Sequence, residues 1–350
     1  MKHTRINCKR LAALLLTLSM LLPLSACGEA KLQQRQLSAM NTVMTLTAYG
    51  KKAEAGLLAA EGVIVAMDAA LDPEMPNSTT YAINHANGQN VIVSAQVAKM
   101  LSSAMTVYTQ SGGALDLSIY PLVKRWGFVD GKYYLPADEE ISAEMMKLCY
   151  DRLVLTSFPS SGAYSVSLPI GAELSFAAVA KGCASENAID AMRQAGVESA
   201  FISMGGSVQT LGLKPDGSLW TVGISDPESP ATHLGVVSVG ETAVVTSAAY
   251  SDRFTAMNGK TYHHLLNPAT GYPANNSLAS VTVICEDGTM ADCLSTAMFV
   301  LGENKALNYW RQYGGFEMIL VTDSKRVVCT SGLIERFTLV NDNYTLKFSE

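Results

Sequence analysis

Apolar positions along the chain follow two rhythms. A 3.6-residue spacing predicts helices over residues 53–71, 95–110, 138–149, 181–194, 290–301 and 305–313. The first is alanine-rich and ends before Asp72-Pro73; the second opens after Ser94 and stops at Gly112-Gly113, a pair suited to a left-handed helix end. Alternation instead predicts strands over 40–49, 152–156 and 163–168. From Ala200 onward the pattern changes to short strands broken by Gly, Asp-Gly and Asn-Gly turns, and residues 253–257 and 261–266 flank Asn258-Gly259 as a hairpin. Strands over 317–321, 326–329, 335–340 and 344–348 close the chain. Helices and strands interleave without a steady β-α-β rhythm, so the expected fold class is α+β, with largely antiparallel sheets and packed helices. No internal repeat or low-complexity tract is visible.

The first residues carry a different pattern. Lys2, Arg5, Lys9 and Arg10 form a basic region, residues 11–24 an apolar stretch, and Leu24-Ser25-Ala26-Cys27 places small residues before a cysteine. That is a secretory signal ending in a lipobox. The apolar stretch, about 14 residues, falls short of the roughly 20 that a membrane-spanning helix needs. The expected plan is a signal peptide over 1–26, a polar tether over 27–36 starting at a lipidated Cys27, and one folded domain over 37–350. Acyl chains on Cys27 would hold that domain outside the cytoplasm, at the cell membrane.

Loss of the four basic residues takes the formal net charge from −6 to −10, which argues against a nucleic-acid partner. At 48% hydrophobic and 16% charged residues, the chain reads as globular rather than disordered. Of its seven cysteines, Cys8 lies in the signal and Cys27 is the lipid acceptor. Cys149, Cys183, Cys285, Cys293 and Cys329 form no C-x-x-C, so buried free thiols are expected rather than disulfides or a soft-metal site.

Three segments could carry chemistry. Asp292 and Thr296 stand four apart in a predicted helix, so both oxygens fall on one face. Mg²⁺ accepts such a sparse protein shell because it keeps waters and takes substrate phosphate oxygens. On spacing alone, the plainer reading is an Asp near a helix N-terminus and a Thr bonded back to a carbonyl. His264 ends a predicted strand and meets a turn rich in Asn, Pro, Thr and Gly, which is either a positioned general base or a strand-end histidine without a partner. Lys181-Gly182 opens a helix, where anions and phosphates settle. Gly205-Gly206 and Thr246-Ser247 each lie at a strand end, and alone each reads as a plain turn or strand terminus.

In this order the segments resemble the ApbE-like flavin transferases, the FAD:protein FMN transferases. Met40-Asn41-Thr42 is similar to that family's Met-Gly-Thr, Gly113-Ala114-Leu115-Asp116 to its Gly-Ala-Phe-Asp, and Trp126-Gly127-Phe128 to its Trp-Gly-Phe. Lys181-Gly182, Gly205-Gly206 and Thr246-Ser247 match its Lys-Gly, Gly-Gly and Thr-Ser. Residues 264–271 resemble its His-x-Ile-Asp-Pro-x-Thr-Gly box, and Asp292 with Thr296 its Asp-x-x-x-Thr pair. The departures are Ser175 in place of a carboxylate, Glu186 for an Asp, Glu74 for an aromatic residue, and Asn41 and Asn267 for a Gly and an Asp.

The resemblance implies that Asp292, Thr296 and the Ala178 carbonyl ligate Mg²⁺. It implies that Met40, Ala114, Leu115, Asp116, Ser175 and Lys181 line an FAD site, and that His264 is the base. The reaction it implies moves FMN from FAD onto a Thr or Ser hydroxyl of an acceptor protein, releasing AMP. That acceptor belongs to a membrane or extracytoplasmic redox system and carries an Asp-Gly-x-Ser/Thr-Gly-Ala-Ser/Thr-like motif. Asp287-Gly288-Thr289 lacks the Gly-Ala part and is no self-target. Two other readings stay open: an FAD pyrophosphatase using water as the acceptor, and a flavin-binding lipoprotein without catalysis.

Overall fold

The computed structural model describes residues 31–350; the expected signal peptide and Cys27 lie outside the described residues. A nine-stranded sheet runs in the order Leu32–Ala39, Thr42–Tyr49, Ala200–Met204, Ser207–Leu211, Ala243–Ala248, Leu278–Cys285, Glu317–Thr322, Arg326–Thr330, Thr345–Ser349. Neighbours pair antiparallel except the last two strands, which are parallel. The fold is therefore α+β with largely antiparallel sheets, as the interleaved patterning implies.

Each face of this sheet has its own cover. On one side Val245, Val281, Val283, Met318 and Leu320 pack with the helices Ala95–Ser111 and Gly288–Leu301, and Met44 and Leu46 pack with Ala53–Leu71 and Ala180–Gln194. On the other side Val244, Ile284, Ile319, Val321 and Val327 meet Trp220, Val222 and Val237 of a second sheet. That sheet has the order Phe337–Leu339, Ser229–Val239, Trp220–Asp226. Burial on both faces explains why Leu278–Cys285 has every residue buried and reads as a continuous rather than an alternating strand.

Several boundaries differ from the sequence expectation. A strand begins at Leu32, inside the stretch expected as tether. Of its three half-buried positions before Ala39 at the sheet edge, two are filled by Gln33 and Arg35, so no apolar alternation marks it. The strand expected over 40–49 starts at Thr42, because Met40 and Asn41 form the hairpin turn with φ of 50° and 57°. The helix expected over 138–149 ends at Met145. Beyond it Lys147 and Leu148 bond to Glu144 and Met145 in tighter i→i+3 turns, and the Cys149 N–H goes to Ser118 Oγ at 2.8 Å. The short helix Thr79–Asn84 had no sequence expectation; Ser78 caps it. All five cysteines of the described residues are free and buried, as expected.

Candidate active site

The site is organised where two helices cross. Gly288–Leu301 opens at Asp287, whose side chain accepts the Met290 N–H at 2.8 Å. Asp292 therefore stands in the second turn and is not the cap of its own helix. Its side chain is 4% exposed, and its Oδ2 accepts the Gly182 N–H from the first turn of Ala180–Gln194 at 2.8 Å. No side-chain donor within hydrogen-bond distance reaches it among the described residues. The crossing depends on glycine: a Cβ on Gly182 would lie 2.1 Å from the Gly288 carbonyl oxygen and 2.7 Å from Asp292 Cβ. With the Gly182 N–H turned to Asp292, the Ala178 carbonyl four residues earlier receives no backbone donor among the described residues.

Thr296 is half-buried one turn after Asp292. Its Oγ1 lies 3.3 Å from Ser247 Oγ, on the strand Ala243–Ala248, rather than bonding back to a carbonyl of its own helix. Only the Thr half of the plainer reading is contradicted, because the Thr296 hydroxyl faces a strand; Asp292 does lie near helix N-termini, in the second turn of its own helix and on a first-turn N–H of Ala180–Gln194. Among the described residues no three His, Cys, Asp or Glu side chains converge, so the oxygen set here comprises one carboxylate with neutral partners.

Lys181 joins this crossing to His264. Burial pushes the Asp292 carboxyl up, while the Lys181 ammonium and the Gly182 N–H oppose that shift. Burial also pushes the His264 imidazole down; the Asp252 carbonyl opposes this, and the Lys181 charge lowers it further. One ammonium thus acts on both groups. His264 Nδ1 lies 3.2 Å from the Asp252 carbonyl oxygen, which can only accept. Nδ1 therefore carries the hydrogen and Nε2 the lone pair. The adjacent His263 has the opposite arrangement: its Nε2 donates to the Ala274 carbonyl at 3.1 Å, and burial lowers it to about 4.

An aromatic lobe holds the histidine loop. Trp126 donates from Nε1 to the Gly271 carbonyl at 2.9 Å and packs on Tyr262 and Tyr272, with ring centroids 5.2 and 5.7 Å away. Phe128 meets His264 edge-on at 6.4 Å. Gly271 has φ 74°, and a Cβ there would sit 2.3 Å from Ile141 Cγ2.

The remaining expected residues are less closely gathered. Met40 sits in its left-handed turn, with its N–H bonded to Asp68 Oδ1 at 2.8 Å. Ala114 and Leu115 are buried in the main core, so what they can offer a ligand is mostly backbone. Asp116 Oδ1 accepts from the Ser118 N–H and Oγ at 2.7 and 2.6 Å, and burial pushes its carboxyl up. No hydrogen bond or ion pair among the described residues links it to Lys181, His264 or Asp292. The Ser175 N–H bonds the Leu117 carbonyl at 3.0 Å, and its Oγ accepts the Ala177 N–H at 3.2 Å. A charged concavity lined by Glu186, Asp190, Arg193, Gln209 and Glu241 opens elsewhere and includes none of the expected residues. Sequence reasoning missed Asp68, Asp252 and Ser295, because each acts through a backbone group or a hydroxyl partner distant in sequence.

Residues 40–320 match the model of the ApbE family. The chain belongs to the ApbE family. Among its relatives, the FAD:protein FMN transferase of Treponema pallidum (strain Nichols) is 29% identical over 341 residues, covering 92% of this chain and 94% of that protein. The FAD:protein FMN transferase of Klebsiella pneumoniae (strain 342) is 34% identical over 264 residues, covering 75% and 80%. Of solved structures, the ApbE protein of Thermotoga maritima MSB8 superposes with a TM-score of 0.76 at 25% identity, over 84% of this chain and 95% of that one. The apo flavinyl transferase ApbE of Pseudomonas stutzeri gives 0.73 at 26% identity, over 85% and 92%.

Two departures from the ApbE motifs have local explanations. Asn41 stands where the motif has Gly, and its φ of 57° is a left-handed conformation that Asn tolerates better than most residues. Asn267 Oδ1 accepts the Ala269 N–H at 2.9 Å, so the amide makes the turn contact open to the usual Asp.

Proposed function

We propose that this chain transfers FMN from FAD to a Thr or Ser hydroxyl of an acceptor protein, releasing AMP, with Mg²⁺ held by Asp292, Thr296 and the Ala178 carbonyl. Membership of the ApbE family, with FAD:protein FMN transferases as relatives over most of their length, makes the chain a flavin-transferring enzyme. The finer reading rests on one observation: the buried Asp292 carboxylate is held on the Gly182 N–H at the helix crossing, which leaves the Ala178 carbonyl without a backbone donor among the described residues.

The donors fit the metal. Among the described residues these are a carboxylate without a side-chain donor, a hydroxyl not bonded to its own helix and a carbonyl without a backbone donor, all hard oxygens. When bound, Mg²⁺ supplies charge neutralisation and a template for the two phosphates of FAD. Lys181, in the first turn of its helix, attracts the same pyrophosphate. Met40, Ala114, Leu115, Asp116 and Ser175 would hold the rest of FAD. His264 Nε2 takes the proton from the acceptor hydroxyl, and that oxygen attacks the phosphorus of the FMN half. The bond from that phosphorus to the bridging oxygen breaks, and AMP leaves with the oxygen.

The lipobox supports attachment through Cys27 at the outer side of a cell membrane, where an acceptor in an extracytoplasmic redox system would be met. The deciding experiment incubates the chain with FAD, Mg²⁺ and a peptide bearing Asp-Gly-x-Thr-Gly-Ala-Thr. Equal amounts of AMP and flavinylated peptide are expected. AMP without flavin on the peptide would instead mean a pyrophosphatase, and FAD binding without AMP a flavin carrier.

A further inference from the structure

Three hydroxyls and one carbonyl form a chain beside Asp292. Ser295 Oγ lies 3.0 Å from the Asp292 carbonyl oxygen, Ser247 Oγ 2.8 Å from Ser295 Oγ, and Thr296 Oγ1 3.3 Å from Ser247 Oγ. Each hydroxyl has one proton, and a carbonyl can only accept. The Ser295 proton is committed to the Asp292 carbonyl, so Ser247 must donate to Ser295 and must accept from Thr296. Reversed, the chain would leave the Ser295–carbonyl contact without a proton. Only one direction satisfies all three contacts, and Ser295 is fully buried, so water cannot supply the missing partner.

The consequence falls on Thr296. Its proton points away into the chain, so whatever else meets Oγ1 meets lone pairs. We propose that Ser247 and Ser295 are positioning residues that fix the Thr296 hydroxyl as an oxygen ligand for a divalent cation and prevent it from donating to a bound anion. This rests on the Mg²⁺ reading above and assigns Ser247, the second residue of the Thr-Ser pair, a task at the metal. Its strand neighbour Thr246 faces another partner, Thr282 Oγ1 at 2.8 Å.

Mn²⁺ binding to the full chain in detergent, followed by electron paramagnetic resonance of free Mn²⁺, tests this without turnover. Ser247→Ala should weaken binding about tenfold, as loss of a partner behind a metal ligand does, while Ser247→Thr keeps the affinity within about twofold. Because Ser247 acts through Thr296, Ser247→Ala combined with Thr296→Val should bind no more weakly than Thr296→Val alone. Wild-type affinity in Ser247→Ala, or losses that multiply in the double variant, would overturn the assignment. Melting in EDTA checks folding, and Ser247→Cys, also expected to bind more weakly, replaces the alanine variant if that fails to fold. A wild-type chain that binds no Mn²⁺ removes the metal reading itself, and this assignment with it.

Discussion

The helix crossing and the aromatic lobe bring their residues to the site by opposite means. At the crossing, backbone touches backbone: Gly182 and Gly288 leave no room for a methyl, and the Asp292 carboxylate sits on a main-chain N–H. In the lobe, side chains do the work, with Trp126, Phe128, Phe254, Tyr262 and Tyr272 in mutual contact around the loop that carries His264. A site built on backbone proximity has no slack. One built on overlapping aromatic contacts shares each loss among several neighbours.

That difference can be broken from both sides. The largest effect is expected at the crossing: Gly182→Ala must force the helices apart, costing about 3 kcal/mol or more in urea unfolding and abolishing AMP release. A midpoint like that of the wild type would show that the close approach is not needed. Next comes His264→Gln, expected to slow transfer at least about a hundredfold as a lost general base, with unfolding unchanged. For the native enzyme, burial and Lys181 lower the imidazole from its ordinary 6.5, so Nε2 stays unprotonated as pH falls to that value. The acid limb of the rate profile should therefore lie below pH 6.5; a limb above it would contradict the assignment of His264 as the base. The smallest effect belongs to the lobe. Trp126→Phe removes one hydrogen bond to the Gly271 carbonyl while keeping an aromatic ring, and should cost about 1 kcal/mol of stability by thermal melting. A loss as large as that of Gly182→Ala would erase the contrast.

Much of the fold was legible from spacing. The helix Ala53–Leu71 falls where its periodicity and Asp72-Pro73 put it, and Ala180–Gln194 starts one residue before its expected position. The edge strand Leu32–Ala39 was hidden because polar Gln33 and Arg35 occupy two of its three half-buried positions. Phe337–Leu339 was legible as a strand, but its place beside Ser229–Val239, in a different sheet from its sequence neighbours, was not. Pairing partners depend on contacts far apart in the chain, and a local pattern does not encode them.

The site divides in the same way. By itself, the sequence determined that Asp292 and Thr296 share a helix face, that Lys181 lies in a first turn and that His264 follows a strand, because these follow from chain geometry over a few residues. Only the tertiary structure decided that the Asp292 carboxylate meets the Gly182 N–H, that Ser247 stands behind Thr296, and that the Asp252 carbonyl leaves the lone pair of His264 on Nε2. Each of these is a contact between segments brought together by packing, and hydrogen-bond direction exists only once both partners are in place.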